Sequence, residues 1–161
     1  MEQLYTEIIR SLEKKQRVAL ATLIQRVGSA PRAVGAKYLV REDGTTCGSI
    51  GGGCVEAEVW QGAQEVIKKG KAESLHFSLT AEQLAAGGLI CGGNIDVFVE
   101  PLGEEFLDIY REVAKTKQKG GAALLVTLLS VDGVVPSEKG TKVLEKIYVL
   151  SQSLLRLPVS L

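Results

Sequence analysis

Leu4, Ile8 and Leu12 recur at i, i+4 and i+8, with Tyr5 and Ile9 alongside, so residues 2–15 are predicted to form an amphipathic helix. Residues 17–27 are apolar and partly β-branched and predict a buried strand. GSAPRAVG then interrupts regular structure. Residues 36–41 and 45–50 predict two strands joined by the turn Glu42-Asp43-Gly44. Three glycines follow, and then Val55, Val59, Ala63 and Val66 fall on one helical face, which predicts a helix over 54–69 stopped by Gly70. Leu75, Phe77 and Leu79 alternate with Ser74, His76 and Ser78, the pattern of a half-buried strand. Thr80 with Gln83 forms a capping box for a short helix ending at Gly87-Gly88. Residues 94–100 alternate again, through Ile95, Val97 and Val99. Phe106, Tyr110 and Val113 suit a helix over 103–117, and residues 122–131 read as a further buried strand.

One pattern spans the chain. Shifted by 105 positions, Leu20, Thr22, Leu23, Gly28, Pro31, Gly35, Lys37 and Leu39 meet Leu125, Thr127, Leu128, Gly133, Pro136, Gly140, Lys142 and Leu144 without a gap. Buried strands resemble one another, which accounts for the leucines but not for the matched glycines and proline. Residues 122–144 therefore begin a second strand–loop–strand unit. The likeness breaks after Leu144, where Tyr148-Val149 replaces the turn Asp43-Gly44. The fold expected is α/β, a mixed sheet flanked by helices with an internal strand–loop–strand repeat. Residues 1–144 form the domain and 145–161 an atypical tail.

Composition narrows the function. Nineteen Lys and Arg balance nineteen Asp and Glu, so no global field draws in nucleic acid or anionic membrane. Aromatic residues make up only 5%, too few for a base-stacking platform. No apolar run reaches a membrane-spanning length, and the N-terminus lacks the basic-then-apolar order of a secretory signal, so a cytoplasmic protein is expected. Cys47, Cys54 and Cys91 are an odd set with one histidine, His76, and without paired C-x2-C spacing. That argues against a disulfide framework and against zinc.

The chemistry concentrates in the glycine clusters. Gly51-Gly52-Gly53 sits between a strand and a helix, where bare amides and the helix dipole favour an anion such as phosphate. The pattern is neither G-x-G-x-x-G nor a P-loop, and by itself it is equally a tight corner. Cys54 follows at the helix N-terminus, a position that favours thiolate. It would be a reactive thiol able to ligate a soft metal or carry persulfide sulfur, or else a small apolar side chain. Glu56 suits the helix dipole but opposes an anion unless it turns away or pairs with a base such as Arg32. Arg32, beside Pro31 in GSAPR, is a candidate phosphate clamp or an ordinary loop arginine. Cys91-Gly92-Gly93 offers a second glycine-flanked thiol. Cys47 lies in a predicted strand and reads as core, and His76 as a surface or hydrogen-bonded residue. No G-x-S-x-G elbow supports a serine hydrolase.

GSAPR, GAKYLV, DG, GSIGGGCVEAEV, LICGG and VFVEPL, in this order over about residues 12–102, resemble the XdhC/CoxI family. Its members are accessory proteins of molybdenum hydroxylases of the xanthine dehydrogenase and carbon monoxide dehydrogenase type. The resemblance implies a chaperone that binds the molybdenum cofactor (molybdopterin) transiently, assists its sulfuration alongside a cysteine desulfurase, and inserts it into the apo-hydroxylase. It implies a reactive Cys54, and cofactor contacts from Arg32, Gly51, Gly52, Gly53, Cys54, Glu56, Cys91, Gly92 and Gly93, with no resident metal ion. Longer members continue into a Rossmann-like domain that this chain lacks, so a separate Rossmann-domain partner is a further expectation, as is a homo-oligomer. Two other readings stand beside it. Cys54 serves sulfur or acyl transfer in a molybdenum-independent enzyme, or the chain is a non-catalytic interaction module.

Overall fold

The structure, a computed structural model, describes residues 2–28, 32–79, 93–129, 140 and 142–147. Helix α1 (Glu2–Glu13) leads into β1 (Val18–Gly28), β2 (Lys37–Arg41) and β3 (Thr46–Gly48). Helix α2 (Gly53–Lys69) follows, then β4 (Glu73–Leu79) and β5 (Gly93–Leu102). A 3-10 turn over Glu104–Phe106 opens α3 (Leu107–Gln118), and β6 (Ala122–Thr127) and β7 (Lys142–Ile147) close the described chain. The expected helix over 80–87, residues 29–31, Cys91, Gly92 and the tail from 148 lie outside the described residues.

The main sheet has the order β3-β2-β1-β5-β4, and every neighbouring pair is antiparallel. The α/β class with flanking helices is as expected, but strand directions are not mixed between neighbours. The physical reason is the route of the chain. The one crossover, through α2, joins β3 to β4, which run parallel but occupy opposite edges of the sheet.

The sheet is the middle of three layers. One face meets α2. Val59, Ala63, Val66 and Ile67 pack there on Ala19, Ala21, Leu23, Val40, Val97 and Val99. The other face meets α1 and α3, where Leu4, Ile8, Leu12 and Tyr110 pack on Val18, Leu20, Leu39 and Leu102. The period-2 alternation of the strands divides these residues between the layers. Gly70 ends α2 in the left-handed conformation, its N–H bonded to the Val66 carbonyl.

The repeat is real in three dimensions. Thr22 faces Lys37 and Leu20 faces Leu39 across β1–β2; Thr127 faces Lys142 and Leu125 faces Leu144 across β6–β7. The Gly35 N–H bonds the Leu23 carbonyl at 2.8 Å, and the Gly140 N–H bonds the Leu128 carbonyl at 2.9 Å. Both glycines have φ near +90°, which explains why glycine recurs there. Pairing continues to Ile147, three residues past the point where the sequence likeness ends. The expectation of a buried strand over 122–131 needs correction. β6 covers six residues, and Leu124 and Val126 on its outer face are about half exposed, at 50% and 49%. In the first unit α2 covers the equivalent face; no described element covers this one.

Candidate functional site

The antiparallel order gathers the glycine clusters at one end of the main sheet. β1 ends there at Gly28, β2 starts at Lys37, β3 ends at Gly48 and β5 starts at Gly93. Gly93 stands opposite both Gly28 and Leu79. The loops carrying Arg32 and Gly51–Cys54 therefore open on the same side as the entry to β5. Of the third cluster only Gly93 is described.

The turn from β3 into α2 is built around Glu56. One carboxylate oxygen, Oε1, accepts from the Ser49 hydroxyl at 2.7 Å and from the N–H groups of Gly52 at 2.8 Å, Ile50 at 3.0 Å and Gly51 at 3.2 Å. Ser49 Oγ also accepts from the Gly51 N–H. Burial pushes the Glu56 carboxyl up, but these four hydrogen bonds outweigh it and hold the group below the usual carboxylate range. Glycine permits the bend. Gly48 has φ +89°, and a Cβ there would lie 2.4 Å from the Lys37 carbonyl oxygen, the atom that anchors the Ser49 N–H. Gly52 precedes the helix at φ +82°, with open space beside it.

This geometry divides the expected anion cradle in two. The amides of Ile50, Gly51 and Gly52 already hold an anion, the chain's own Glu56. Glu56 turns back into the loop and is not paired with Arg32. The amides of the first helical turn, from Gly53 onward, receive no side-chain cap, and a Cβ at Gly53 would touch nothing within 4 Å. Cys54 is exposed in that turn. Arg32 is exposed as well, and its carbonyl accepts from Arg26 Nη1 at 3.4 Å. Cys47 is half-buried against the α1 layer, as its strand position suggested. His76 is exposed and hydrogen-bonded through Nδ1 to Asp96 across β4–β5.

Two features escaped sequence reasoning. Ser49 is the donor that fixes Glu56. A buried charged cluster also lies where the two repeat units meet. Lys142 Nζ donates to Glu100 Oε1 at 2.7 Å and to Thr127 Oγ1 at 2.9 Å, and Lys37 Nζ donates to Thr22 Oγ1 at 3.0 Å. The Glu100 and Lys142 side chains are 3% and 1% exposed. Burial raises the Glu100 carboxyl against the pull of both lysines, and burial lowers Lys37. Tyr110 is raised by burial and by the neighbouring Glu100 charge. The signal was available, since Thr22, Lys37, Thr127 and Lys142 are all among the matched repeat positions.

Residues 11–78 match the XdhC and CoxI family. The chain is 33% identical over 94 residues to the molybdenum cofactor insertion chaperone PaoD of Escherichia coli, covering 58% of this chain and 29% of that protein. It is 29% identical over 128 residues to a probable xanthine dehydrogenase component of Bacillus subtilis, covering 78% of this chain and 39% of that one. The fold matches the crystal structure of a xanthine dehydrogenase from Bacillus halodurans with a TM-score of 0.68 and 26% identity, over 89% of this chain and 45% of that one. The chain thus spans less than half the length of these relatives. No described helix is long and apolar enough to cross a membrane. Through residues 11–78, with the glycine–cysteine turn in their second half, the chain resembles the XdhC and CoxI family.

Proposed function

We propose that this chain is a molybdenum-cofactor-binding chaperone that assists sulfuration of the cofactor and its insertion into a hydroxylase of the xanthine dehydrogenase or carbon monoxide dehydrogenase type. The observation that carries the reading is the exposed Cys54 thiol in an uncapped first helical turn, held by a loop that satisfies itself through Glu56. PaoD, a relative by sequence, is named for cofactor insertion, which supports the same reading.

The fit to the cofactor is selective. Amides already engaged by Glu56 do not suit its phosphate. The free amides from Gly53 onward do, because they point out of the helix and the dipole favours negative charge there. Arg32, on the loop at the same end of the sheet, is the cation for the same anion. Cys54 is the soft ligand. When bound, the cofactor supplies a molybdenum centre with sulfur ligands. The chain contributes a thiol, backbone donors and a rigid turn. Cys91 and Gly92, which directly precede Gly93 in the sequence, are proposed as the second thiol and its approach.

Glu56 is a positioning residue in this scheme rather than a ligand. Its charge neutralises three amides that would otherwise compete for the phosphate, and so fixes where the helix begins. The partners follow from the chemistry: an apo-hydroxylase that receives the cofactor and a cysteine desulfurase that supplies sulfur.

Anaerobic incubation with molybdenum cofactor, followed by gel filtration and quantitation of metal and pterin, tests the reading. Wild-type protein should retain both, and Cys54→Ala should lose most of each. Equal retention and equal hydroxylase activation by Cys54→Ala would refute it.

A further inference from the structure

We infer, resting on the cofactor role of the turn before α2, that Lys37 is a positioning residue for that turn: its side chain fixes the end of β2 and its carbonyl fixes Ser49. The strand that enters the turn is β3, which is three residues long and, among the described residues, lies at the edge of the sheet against β2. Its register with β2 runs from Val40 opposite Thr46 to Tyr38 opposite Gly48. The next bond runs from the Ser49 N–H to the Lys37 carbonyl, at 3.0 Å. Ser49 is thus gripped twice, through its N–H by Lys37 and through its hydroxyl by Glu56 Oε1. Gly48 seats the chain directly against the same carbonyl, since a Cβ there would lie 2.4 Å from its oxygen.

Lys37 is the first residue of β2, and element ends open readily unless something ties them. Its side chain supplies the tie. Lys37 Nζ donates to Thr22 Oγ1 of the adjoining β1 at 3.0 Å, and the Glu100 carboxylate of β5, one strand farther in, attracts it. β1 and β5 are inner strands, each paired on both sides, so both partners are themselves firmly held. A half-buried ammonium between a hydroxyl and a carboxylate has no second arrangement that satisfies it as well, and it holds the strand end in register. Lys142 makes the matching bonds in the second unit, to Thr127 and to Glu100, but its strand does not lead into the turn. Substituting Lys142 therefore loosens the charged cluster while leaving the tie between Lys37 and Thr22 in place.

Amide hydrogen exchange on the cofactor-free protein tests the role of Lys37 separately from cofactor binding. Lys37→Met and Thr22→Val should each speed exchange at Ser49, Ile50, Gly51 and Gly52 about five- to tenfold, the effect of one lost hydrogen bond. Thr22→Ser, which keeps the hydroxyl, should exchange as wild type does. Lys142→Met loses more global stability, yet should leave these four amides within about twofold of wild type, because their opening is local. After anaerobic incubation with molybdenum cofactor and gel filtration, Lys37→Met should retain less metal and pterin than Lys142→Met. Unchanged exchange in both Lys37→Met and Thr22→Val, equal loosening in Lys142→Met, or loosened amides with full cofactor retention overturns the proposal. A wild type that retains no cofactor refutes the chaperone reading by itself, and the exchange rates still decide whether Lys37 holds the turn.

Discussion

Lys142→Met should destabilise the protein through the charge it strands. Lys142 Nζ holds Glu100 Oε1 at 2.7 Å with both side chains almost wholly buried, and Glu100 Oε2 has no hydrogen-bond partner among the described residues. Removing one member of a buried ion pair costs roughly 3–5 kcal/mol, because the remaining charge keeps its desolvation penalty. Lys37 still attracts Glu100, which places the expected loss at the lower end, about 3 kcal/mol. In a chain of this size that lowers the melting temperature by roughly 10 °C. The double variant Glu100→Gln/Lys142→Met should recover most of the loss, to within about 1.5 kcal/mol of wild type, since no buried charge remains.

The pH dependence has a definite sign. Burial holds the Glu100 carboxyl above its unfolded value, so the folded state binds that proton more tightly than the unfolded state. The contribution of this group is therefore most favourable below the ordinary glutamate range and is lost as pH rises through the folded value. Without Lys142 the folded value moves higher still. The deficit of Lys142→Met relative to wild type should then be small near pH 4 and grow toward pH 7. Urea denaturation at several pH values measures it. A deficit that is below about 1 kcal/mol at pH 7, or that does not change with pH, would refute the assignment of this pair as the joint between the two repeat units.

Three other outcomes follow from the turn before α2. Glu56→Gln should cost about 1–3 kcal/mol, since the charge-assisted bonds to Ser49 and three amides weaken. The pKa of Glu56 in the native protein lies below its unfolded value, so its stabilisation is present above the ordinary glutamate value and fades as pH falls through the folded one. Thermal melts from pH 3 to 6 should show that slope in wild type and a flatter one in the variant. Gly48→Ala should lose more than about 2 kcal/mol by chemical denaturation, because the new Cβ meets the Lys37 carbonyl at a positive φ. Cys54→Ser should leave stability within about 0.5 kcal/mol, and mass-mapped alkylation of the native protein should label Cys54 well before Cys47, as their exposures differ.

What the sequence discloses divides along a physical line. Periodicity reports burial on one face, so α1, α2, β2, β4 and β5 were legible within about two residues, and so was the repeat. The direction of a side chain that leaves a loop is not periodic. That Glu56 turns back on Ile50, Gly51 and Gly52 depends on positive φ at glycines 48, 51 and 52 acting together, and no single residue type signals that combination. Burial can also mislead when the covering element is missing. The apolar run from Ala122 reads as core because its counterpart in β1 is core, yet half of its outer face meets solvent.

The charged cluster is the instructive case. Thr22, Lys37, Thr127 and Lys142 were matched letter for letter at the shift of 105, and a lysine repeated inside an otherwise apolar strand pattern has to be accounted for. Each unit satisfies its lysine locally through a cross-strand threonine, which is why the pair recurs. Among the described residues one anion, Glu100 of β5, serves this cluster, and it bonds Lys142 while Lys37 acts on it from farther away. The asymmetry that results from duplicating a cation without its partner is what ties the second unit to the first. It also makes Lys37→Met the milder of the two lysine substitutions, because that change leaves the Glu100–Lys142 bond in place.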